Sequence, residues 1–180
     1  MNTIEVSQDI QLAPPNVKYA EELHAIIISE NRRLCEWLPW AYNYGSIGKS
    51  IAFTEQTKTN FEEKKGFGFT VIYNGKPVGM MGTHFIDYAN KRSTLGYWLS
   101  EQAEGKGVMT ACVKSLINFC FEELNLNRVE ILCASMNIKS NRIPQKLGFQ
   151  LEGVFKKYEL LPTGYVDVNY YAMLKESWVK

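Results

Sequence analysis

The chain has 180 residues, of which 46% are hydrophobic and 22% are charged, so it can bury a sizeable core without disulfides or metals. Its 20 lysines and arginines nearly balance its 19 aspartates and glutamates. The resulting formal net charge of +1 argues against a protein whose main task is to coat nucleic acid or to bind anionic membranes. One domain spanning residues 1–180 is expected, with an unusually high aromatic content of 13%.

The cysteines, the histidines and the first residues argue against several other classes. The four cysteines show no C-x-x-C pair and the two histidines are isolated, so no zinc or haem attachment site is predicted. Cys112, Cys120 and Cys133 lie in apolar runs and are predicted to be buried, inert thiols. Residues 1–10 lack the pattern of a secretory signal, and no aliphatic run approaches the roughly 18 residues of a membrane span. We therefore expect a reduced, soluble, cytoplasmic protein.

The first third of the chain is predicted to contain a strand, two helices and an aromatic loop. Residues 4–15 alternate loosely, which is typical of a strand. A helix is predicted over residues 16–32, where apolar residues recur at helical spacing and Asn16 is the expected N-cap. An aromatic loop at residues 34–44 separates it from a second helix over residues 46–64.

The pattern then changes to three β-rich segments. Residues 67–73 and 77–85 are joined by Asn74-Gly75-Lys76, which is a strong hairpin signal. A third strand is predicted over Arg92–Leu99, and a loop containing two glycines, residues 100–107, follows it.

The last third alternates between helices and strands. A helix is predicted over residues 108–124, followed by a strand over Arg128–Ala134 that is apolar enough to be buried on both faces. A short helix over residues 138–147 precedes a terminal hairpin with strands at residues 149–161 and 165–174. This order of elements predicts an α/β fold with a mixed sheet.

The loop at residues 102–107 has the properties of a diphosphate-binding site. It lies between a strand ending at Leu99 and a helix starting near Val108, and Gly105 and Gly107 let its backbone turn sharply. Successive amide N–H groups can then point into one concavity, next to the positive end of the following helix dipole. The third glycine and the downstream acid of a dinucleotide-binding fingerprint are missing, so a dinucleotide is not favoured.

The motifs around this loop form an ordered set. They comprise Gly96-Tyr97-Trp98-Leu99 before the loop, Gln102, Gly105 and Gly107 within it, Asn137-x-x-Ser140 and Lys146-Leu147-Gly148-Phe149 after it, and Gly164-Tyr165-Val166-Asp167 with Tyr171 and Leu174 near the end. With this set, and over about residues 4–178, the sequence resembles the RimJ/RimL branch of the GNAT superfamily of acyl-CoA-dependent N-acetyltransferases.

The resemblance implies a fold and a cofactor. The fold is a mostly antiparallel sheet of seven strands, flanked by about four helices and splayed between Arg92–Leu99 and Arg128–Ala134. Acetyl-CoA, a co-substrate used without a metal, would place its pantetheine in that gap and its pyrophosphate on the loop. The residues implied to contact it are Tyr97, Trp98, Leu99, Gln102, Gly105, Lys106, Gly107, Val108, Met109, Thr110 and Asn137.

Transfer of an acetyl group from a thioester to an amine requires a base for the amine proton and a proton for the leaving thiolate. The resemblance implies that Glu159 is the general base and that Ser140 donates the proton. Two alternatives stay open from the residues themselves. Glu159 could be a solvated strand residue, and Ser140 could cap a helix, alone or in addition to its catalytic role.

The pKa of an amine determines how easily one carboxylate can deprotonate it, and this limits the choice of acceptor. An α-amino group with a pKa of about 7.7–8.0 is roughly one-tenth neutral at pH 7, whereas a lysine is only about 0.04% neutral. A single carboxylate base therefore favours a protein N-terminus, in keeping with the work of this branch on ribosomal proteins. Trp37, Trp40 and Tyr42 are candidates for contacting the acceptor, with an apolar brace for the sheet as the alternative.

Three hypotheses on function follow. The leading one is an acetyl-CoA-dependent acetyltransferase that acts on the N-terminal amine of a ribosomal or similar protein. The second keeps the reaction but takes a small amine, such as an amino acid, a polyamine or an antibiotic. The third is a non-catalytic acyl-CoA-binding module in which Glu159 is structural. A homodimer is an open alternative because the family contains dimers, and neither nucleic acid nor a membrane is an expected partner.

Overall fold

Eight strands form one sheet in the computed structural model, which describes residues 3–179. In chain order they are β1 (Ile4–Glu5), β2 (Ile10–Ala13), β3 (Gly68–Tyr73), β4 (Lys76–Asp87), β5 (Arg92–Leu99), β6 (Arg128–Ala134), β7 (Gln150–Leu161) and β8 (Gly164–Leu174). Their order across the sheet is β1-β2-β3-β4-β5-β6-β8-β7, and every neighbouring pair is antiparallel except β5 and β6. The predicted α/β fold with a mixed sheet is confirmed.

Five α-helices connect these strands. They are α1 (Ala20–Ser29), α2 (Asn31–Cys35), α3 (Ile47–Glu62), α4 (Val108–Glu122) and α5 (Ile138–Lys146). Short 3₁₀ helices occur at Val17–Tyr19, Pro39–Asn43, Glu101–Ala103 and Lys175–Ser177. No helix between residues 3 and 179 is both long and apolar enough to cross a membrane.

Two element counts differ from the expectation. The sheet has eight strands rather than seven, because residues 4–15 form two strands around a tight turn in which the N–H groups of Val6 and Ser7 donate to Ile10. There are five helices rather than about four, because Glu30 leaves the helical conformation at φ −105° and ψ 15° and so divides the predicted helix over residues 16–32. The predicted cap is present, since Asn16 Oδ1 accepts the N–H of Lys18.

The hairpin between β3 and β4 forms as its sequence predicts. Asn74 and Gly75 have positive φ values of 50° and 75°, the conformation of a two-residue turn that matches the twist of the flanking strands. β4 extends beyond the predicted end at residue 85, and its register with β5 shifts between His84 and Asp87. This bulge interrupts the pairing, which resumes beyond it, so the strand is longer than the alternation of the sequence predicts.

The main core lies between the sheet and α4. The predicted apolar stripe of α4 is buried throughout, and its members are Met109, Val113, Leu116, Ile117 and Cys120. Full burial of each large aliphatic side chain contributes about 1.5–3 kcal/mol. Much of the aromatic excess also lies here, since Phe61, Phe67, Phe69 and Phe119 pack edge to face with ring centroids 5.0–5.9 Å apart.

The parallel pair β5–β6 is joined for only half of its length. Arg92 to Leu95 pair with Arg128 to Ile131, and the pairing then ends. Beyond this point β5 continues along β4 as far as Leu99, while β6 continues along β8 as far as Ala134. The two strands therefore diverge, and the sheet is splayed at the predicted position.

Candidate active site

The gap between β5 and β6 opens into two adjoining cavities of about 620 Å³ and about 170 Å³. The larger cavity lies between the loop before α4 and the start of α5. The smaller one is found where the strands separate, and its wall includes Leu95, Ile131 and Glu159. The residues that line both are Trp37, Leu38, Tyr97, Asn137 and Ser140.

The loop before α4 has the backbone conformation that an anion requires. Gly105 and Gly107 have φ values of 74° and 79°, a region in which other residues are strained. The first hydrogen bond of α4 runs from the Ala111 N–H to the Gly107 carbonyl, so the preceding amides of the helix have no acceptor within it. Gly107 has no side chain to cap the helix and lines the larger cavity with the first three residues of α4, so these donors and the positive end of the helix dipole are available to a ligand there. The site thus fits a diphosphate.

Basic side chains surround the larger cavity in excess over carboxylates. Four cations line it, against the two carboxylates of Glu36 and Glu104; the cations are Arg33, Lys139, Arg142 and Lys146. An anionic ligand is therefore favoured electrostatically. Our sequence analysis named Lys146 only as part of a motif and did not predict a cationic lining, although the spacing of positions 139, 142 and 146 places them on one face of a helix and could have identified it.

An ion-pair network holds the loop between α2 and α5. Glu104 accepts hydrogen bonds from Arg33 Nη1 at 2.6 Å and from Lys139 Nζ at 2.5 Å. Arg33 also donates to the carbonyl of Leu99 at 2.9 Å and pairs with Glu30, whose carboxylate accepts the N–H of Glu101. Glu30, which divides the predicted helix into α1 and α2, therefore also anchors these two helices to the end of β5.

Nine of the eleven residues implied to contact the cofactor line the larger cavity. They are Tyr97, Trp98, Leu99, Gly105, Gly107, Val108, Met109, Thr110 and Asn137. Gln102 and Lys106 are exposed and lie outside this lining, and the Lys106 ammonium is 5.7 Å from the ring centroid of Tyr73. Met136 and Ile138 line the cavity as largely exposed apolar side chains, which the sequence analysis did not identify.

Ser140 belongs to a chain of hydrogen-bonding groups in the gap. Its Oγ lies 3.2 Å from Cys133 Sγ and donates to the Tyr97 hydroxyl at 3.4 Å, and that hydroxyl donates to the Ser140 carbonyl at 3.3 Å. Ser140 does not cap α5. Asn137 is the cap, since its Oδ1 accepts the N–H of Ser140 at 3.1 Å. The hydroxyl of Ser140 is thereby left to face the gap.

Burial keeps the other two members of this chain protonated. Desolvation raises the pKa of the Tyr97 phenol, and it also raises the pKa of the Cys133 thiol, to which the charge of Glu159 adds. Cys133 is buried as predicted, and it lines the smaller cavity next to Ser140. Cys133 reaches the cavity because β5 and β6 separate, which the apolar run around it does not predict.

Glu159 is the carboxylate of the smaller cavity. It lies on β7 opposite Val166, and it is half-buried on a strand whose other residues are mostly exposed. Desolvation raises the pKa of its carboxyl group. The combination of a base with a raised pKa and a cavity that also holds Ser140 is suited to proton transfer.

The three aromatic residues predicted to contact the acceptor take different positions in the structure. Trp37 lines both cavities. Trp40 instead packs against Tyr44 and Trp98, with ring centroids 5.4 Å and 6.4 Å apart, as a brace would. Tyr42 is 72% exposed and lies outside both linings. Within residues 3–179, no group of three or more histidine, cysteine, aspartate or glutamate side chains is placed to hold a metal ion.

Known proteins with similar sequences and structures are acetyltransferases. The chain is 34% identical over 179 residues to YdaF of Bacillus subtilis (strain 168), whose name suggests a ribosomal N-acetyltransferase, with 99% of this chain and 98% of YdaF covered. It is 28% identical to the ribosomal-protein-serine acetyltransferase of Escherichia coli (strain K12), with 97% and 98% covered. The solved structure of the microcin C7 self-immunity acetyltransferase MccE, in complex with acetyl-CoA and AMP, superposes with a TM-score of 0.91 at 32% identity and covers 96% of each chain.

A family model described as an acetyltransferase (GNAT) domain matches residues 9–150. This match agrees with the splayed sheet, the anion-binding loop and the relatives, and it confirms the family predicted from the motifs. The chain therefore belongs to the GNAT family and is an N-acetyltransferase that uses acetyl-CoA as its donor.

Proposed function

We propose that this enzyme acetylates the N-terminal α-amino group of a ribosomal or similar protein. The observation that carries the proposal is that the half-buried carboxylate of Glu159 and the hydroxyl of Ser140 both line one small cavity. A base and a proton donor on the same cavity are what amine acetylation requires. A ribosomal acceptor would place the enzyme in the cytoplasm, and a homodimer stays a prediction.

Acetyl-CoA supplies the acetyl group as a thioester. The loop at residues 104–110 would hold its pyrophosphate through backbone amides, with Lys139, Arg142 and Lys146 as counter-charges. The separated halves of β5 and β6 have backbone groups with no partner across the gap, so an extended arm can pair with them. In this proposal the thioester end lies where the two cavities meet.

Glu159 would remove the proton from the acceptor ammonium, directly or through one water molecule. Its raised pKa brings the carboxylate closer in basicity to the amine than an exposed glutamate would be, which makes the transfer less unfavourable. Ser140 would hold a proton at Oγ for the sulfur that leaves. Tyr97 and Cys133, both protonated, contact Ser140 and hold its hydroxyl in the gap.

The choice of an α-amine rests on its basicity and on the relatives. At pH 7 about one-tenth of an α-amino group is already neutral, so one carboxylate suffices to complete its deprotonation. Two relatives that align with nearly the whole chain carry names that refer to ribosomal acceptors. Trp37 and Leu38 line the smaller cavity and can contact the apolar part of an entering chain terminus.

A small amine is the second candidate acceptor. It is favoured by the volume of the smaller cavity, about 170 Å³, and by the similarity to MccE, whose structure is a complex with acetyl-CoA and AMP. The two candidates differ in how much acceptor lies outside the cavity. A protein N-terminus extends onto the surface, whereas an amino acid or a polyamine does not.

The acceptor can be identified by incubating the purified enzyme with acetyl-CoA in two parallel reactions, one with ribosomal proteins and one with a panel of small amines. Mass spectrometry maps acetylated N-termini in the first, and thiol release is followed in the second. We expect N-terminal acetylation above an enzyme-free control. Turnover of small amines without any protein N-terminal product would contradict the proposal and favour the second candidate.

Loss of the Ser140 hydroxyl should have a moderate effect. We expect Ser140→Ala to lower kcat about 10-fold, which is less than a general acid usually contributes, because a thiol of pKa about 8.5 leaves without much help. The cap of α5 uses the backbone N–H of residue 140 and should persist. Steady-state kinetics would measure the change, with Ser29→Ala on α1 as a control that keeps the wild-type kcat. A loss of more than about 100-fold would mean that the serine does more than protonate the leaving sulfur.

A further inference from the structure

The two terminal strands pair irregularly just before Glu159. Phe155 pairs with Val168 and Glu159 pairs with Val166, so residues 156–158 of β7 stand opposite Asp167 alone. Lys157 has a φ of 48°, the left-handed region that non-glycine residues rarely adopt. This three-residue bulge is a strained segment that something must hold in place.

The side chain of Asp167 holds the bulge. Its Oδ1 accepts the backbone N–H of Lys157 at 2.9 Å, and its Oδ2 accepts a hydrogen bond from Lys156 Nζ at 2.8 Å. These hydrogen bonds lower the pKa of the Asp167 carboxyl, so it is ionised at neutral pH and accepts both strongly. The strained residue is therefore the one whose amide the carboxylate binds.

The bulge decides which side chain reaches the smaller cavity. In regular antiparallel pairing, continued from Phe155 and Val168, the residue opposite Val166 would be Lys157. The two additional residues move Glu159 about 7 Å along the strand into that position, at about 3.4 Å per residue. If the register of Phe155 and Val168 held along the whole hairpin, an ammonium group would stand where the carboxylate stands now, and an ammonium cannot accept a proton.

Asp167 is itself fixed to the other half of the site. Its backbone carbonyl accepts the N–H of Ser135 at 2.8 Å, where the chain leaves β6 towards α5. Two residues later Asn137 caps α5 and binds the amide of Ser140. One residue thus connects the segment that carries Glu159 with the segment that carries Ser140.

We propose that Asp167 is the positioning residue for Glu159: through the bulge at residues 156–158 it places that carboxylate at the smaller cavity. This inference rests on the proposed role of Glu159 as the base. It also explains the aspartate in the motif at residues 164–167, which lines neither of the two cavities described above and whose carboxylate accepts hydrogen bonds from Lys156 and Lys157.

The test begins with single variants in the acetyl-transfer assay. We expect Asp167→Ala to lower kcat about 10-fold, because a displaced catalytic group loses effective concentration, and to leave the calorimetric Kd of acetyl-CoA unchanged. Asp167→Asn keeps an oxygen that can accept the Lys157 N–H and should stay within about 3-fold of wild type. Lys156→Ala removes an exposed ion pair and should stay within about 2-fold. Wild-type kcat in Asp167→Ala would overturn the inference.

A double variant separates positioning from general support of the structure. If Asp167 acts through Glu159, then adding Asp167→Ala to Glu159→Gln should produce no further loss of kcat. The same 10-fold loss in both backgrounds would overturn the inference, because it would reveal a structural role that is independent of the base. Wild-type activity in Glu159→Gln alone would instead refute the proposed base, and the inference with it, so the two failures are distinguishable.

Discussion

Replacing Glu159 with glutamine is expected to lower kcat about 1000-fold at pH 7, within the range of about 10²–10⁴ that positioned acid–base groups contribute. Glutamine has nearly the same shape but cannot accept a proton from the acceptor ammonium. The affinity for acetyl-CoA should change little, because Glu159 lines the smaller cavity and is absent from the lining of the larger one. Steady-state kinetics together with calorimetric titration of acetyl-CoA would measure both quantities.

The pH dependence of kcat provides a second signature of this residue. Burial raises the pKa of the Glu159 carboxyl, and only its ionised form is a base. The kcat of the wild-type enzyme should therefore fall as the pH drops through this raised pKa, at a higher pH than for an ordinary glutamate. In Glu159→Gln this limb of the profile should be absent, since the group that titrates has been removed.

A matched control lies on the same strand. Glu152→Gln makes the same chemical change on β7, but its carboxylate pairs with Arg128 and lies outside both cavity linings. Its kcat should stay within about 2-fold of wild type, because partly exposed ion pairs contribute little. If Glu159→Gln were as active as Glu152→Gln, the base would have to be another group, or the amine would react already neutral.

Replacing Gly107 with alanine should weaken acetyl-CoA binding about 30-fold. Alanine at the φ of 79° that Gly107 adopts is strained by about 1–2 kcal/mol, so the loop is expected to relax and turn its amides away from the cavity. Loss of one hydrogen bond to a charged group costs about 1.5–3 kcal/mol, and about 2 kcal/mol corresponds to roughly 30-fold in Kd. Isothermal titration with acetyl-CoA would measure the change.

Gly75 offers the control for this experiment. It has a φ of 75° in the turn between β3 and β4 and lies outside both cavity linings. Gly75→Ala should therefore lower the free energy of unfolding through the same kind of strain while leaving the Kd of acetyl-CoA unchanged. An unchanged Kd in Gly107→Ala would mean that the loop does not hold the pyrophosphate through the conformation described here.

Most of the fold, the two-glycine loop and the cofactor could be predicted from the sequence because their signals are local. The stripe of α4, the Asn74-Gly75 turn and the glycines of the loop each depend on residues within a few positions of one another. Hydrophobic periodicity and positive φ preferences act over such distances, so the sequence alone determined these elements. The basic residues on one face of α5 are also close to one another in the sequence, although our sequence analysis did not predict that they line the site.

The catalytic side depended on contacts between residues that are distant in the sequence. Glu159 reaches the smaller cavity because β7 bulges against Asp167, and Cys133 meets Ser140 because β6 separates from β5. Strand register and the end of a strand pair are set by packing across the whole sheet, which no short segment encodes. The sequence by itself thus determined most of the elements, the two-glycine loop and the family. The resemblance also predicted the opening of the sheet and Glu159, whereas only the tertiary structure showed the bulge that precedes this carboxylate and the contact between Cys133 and Ser140.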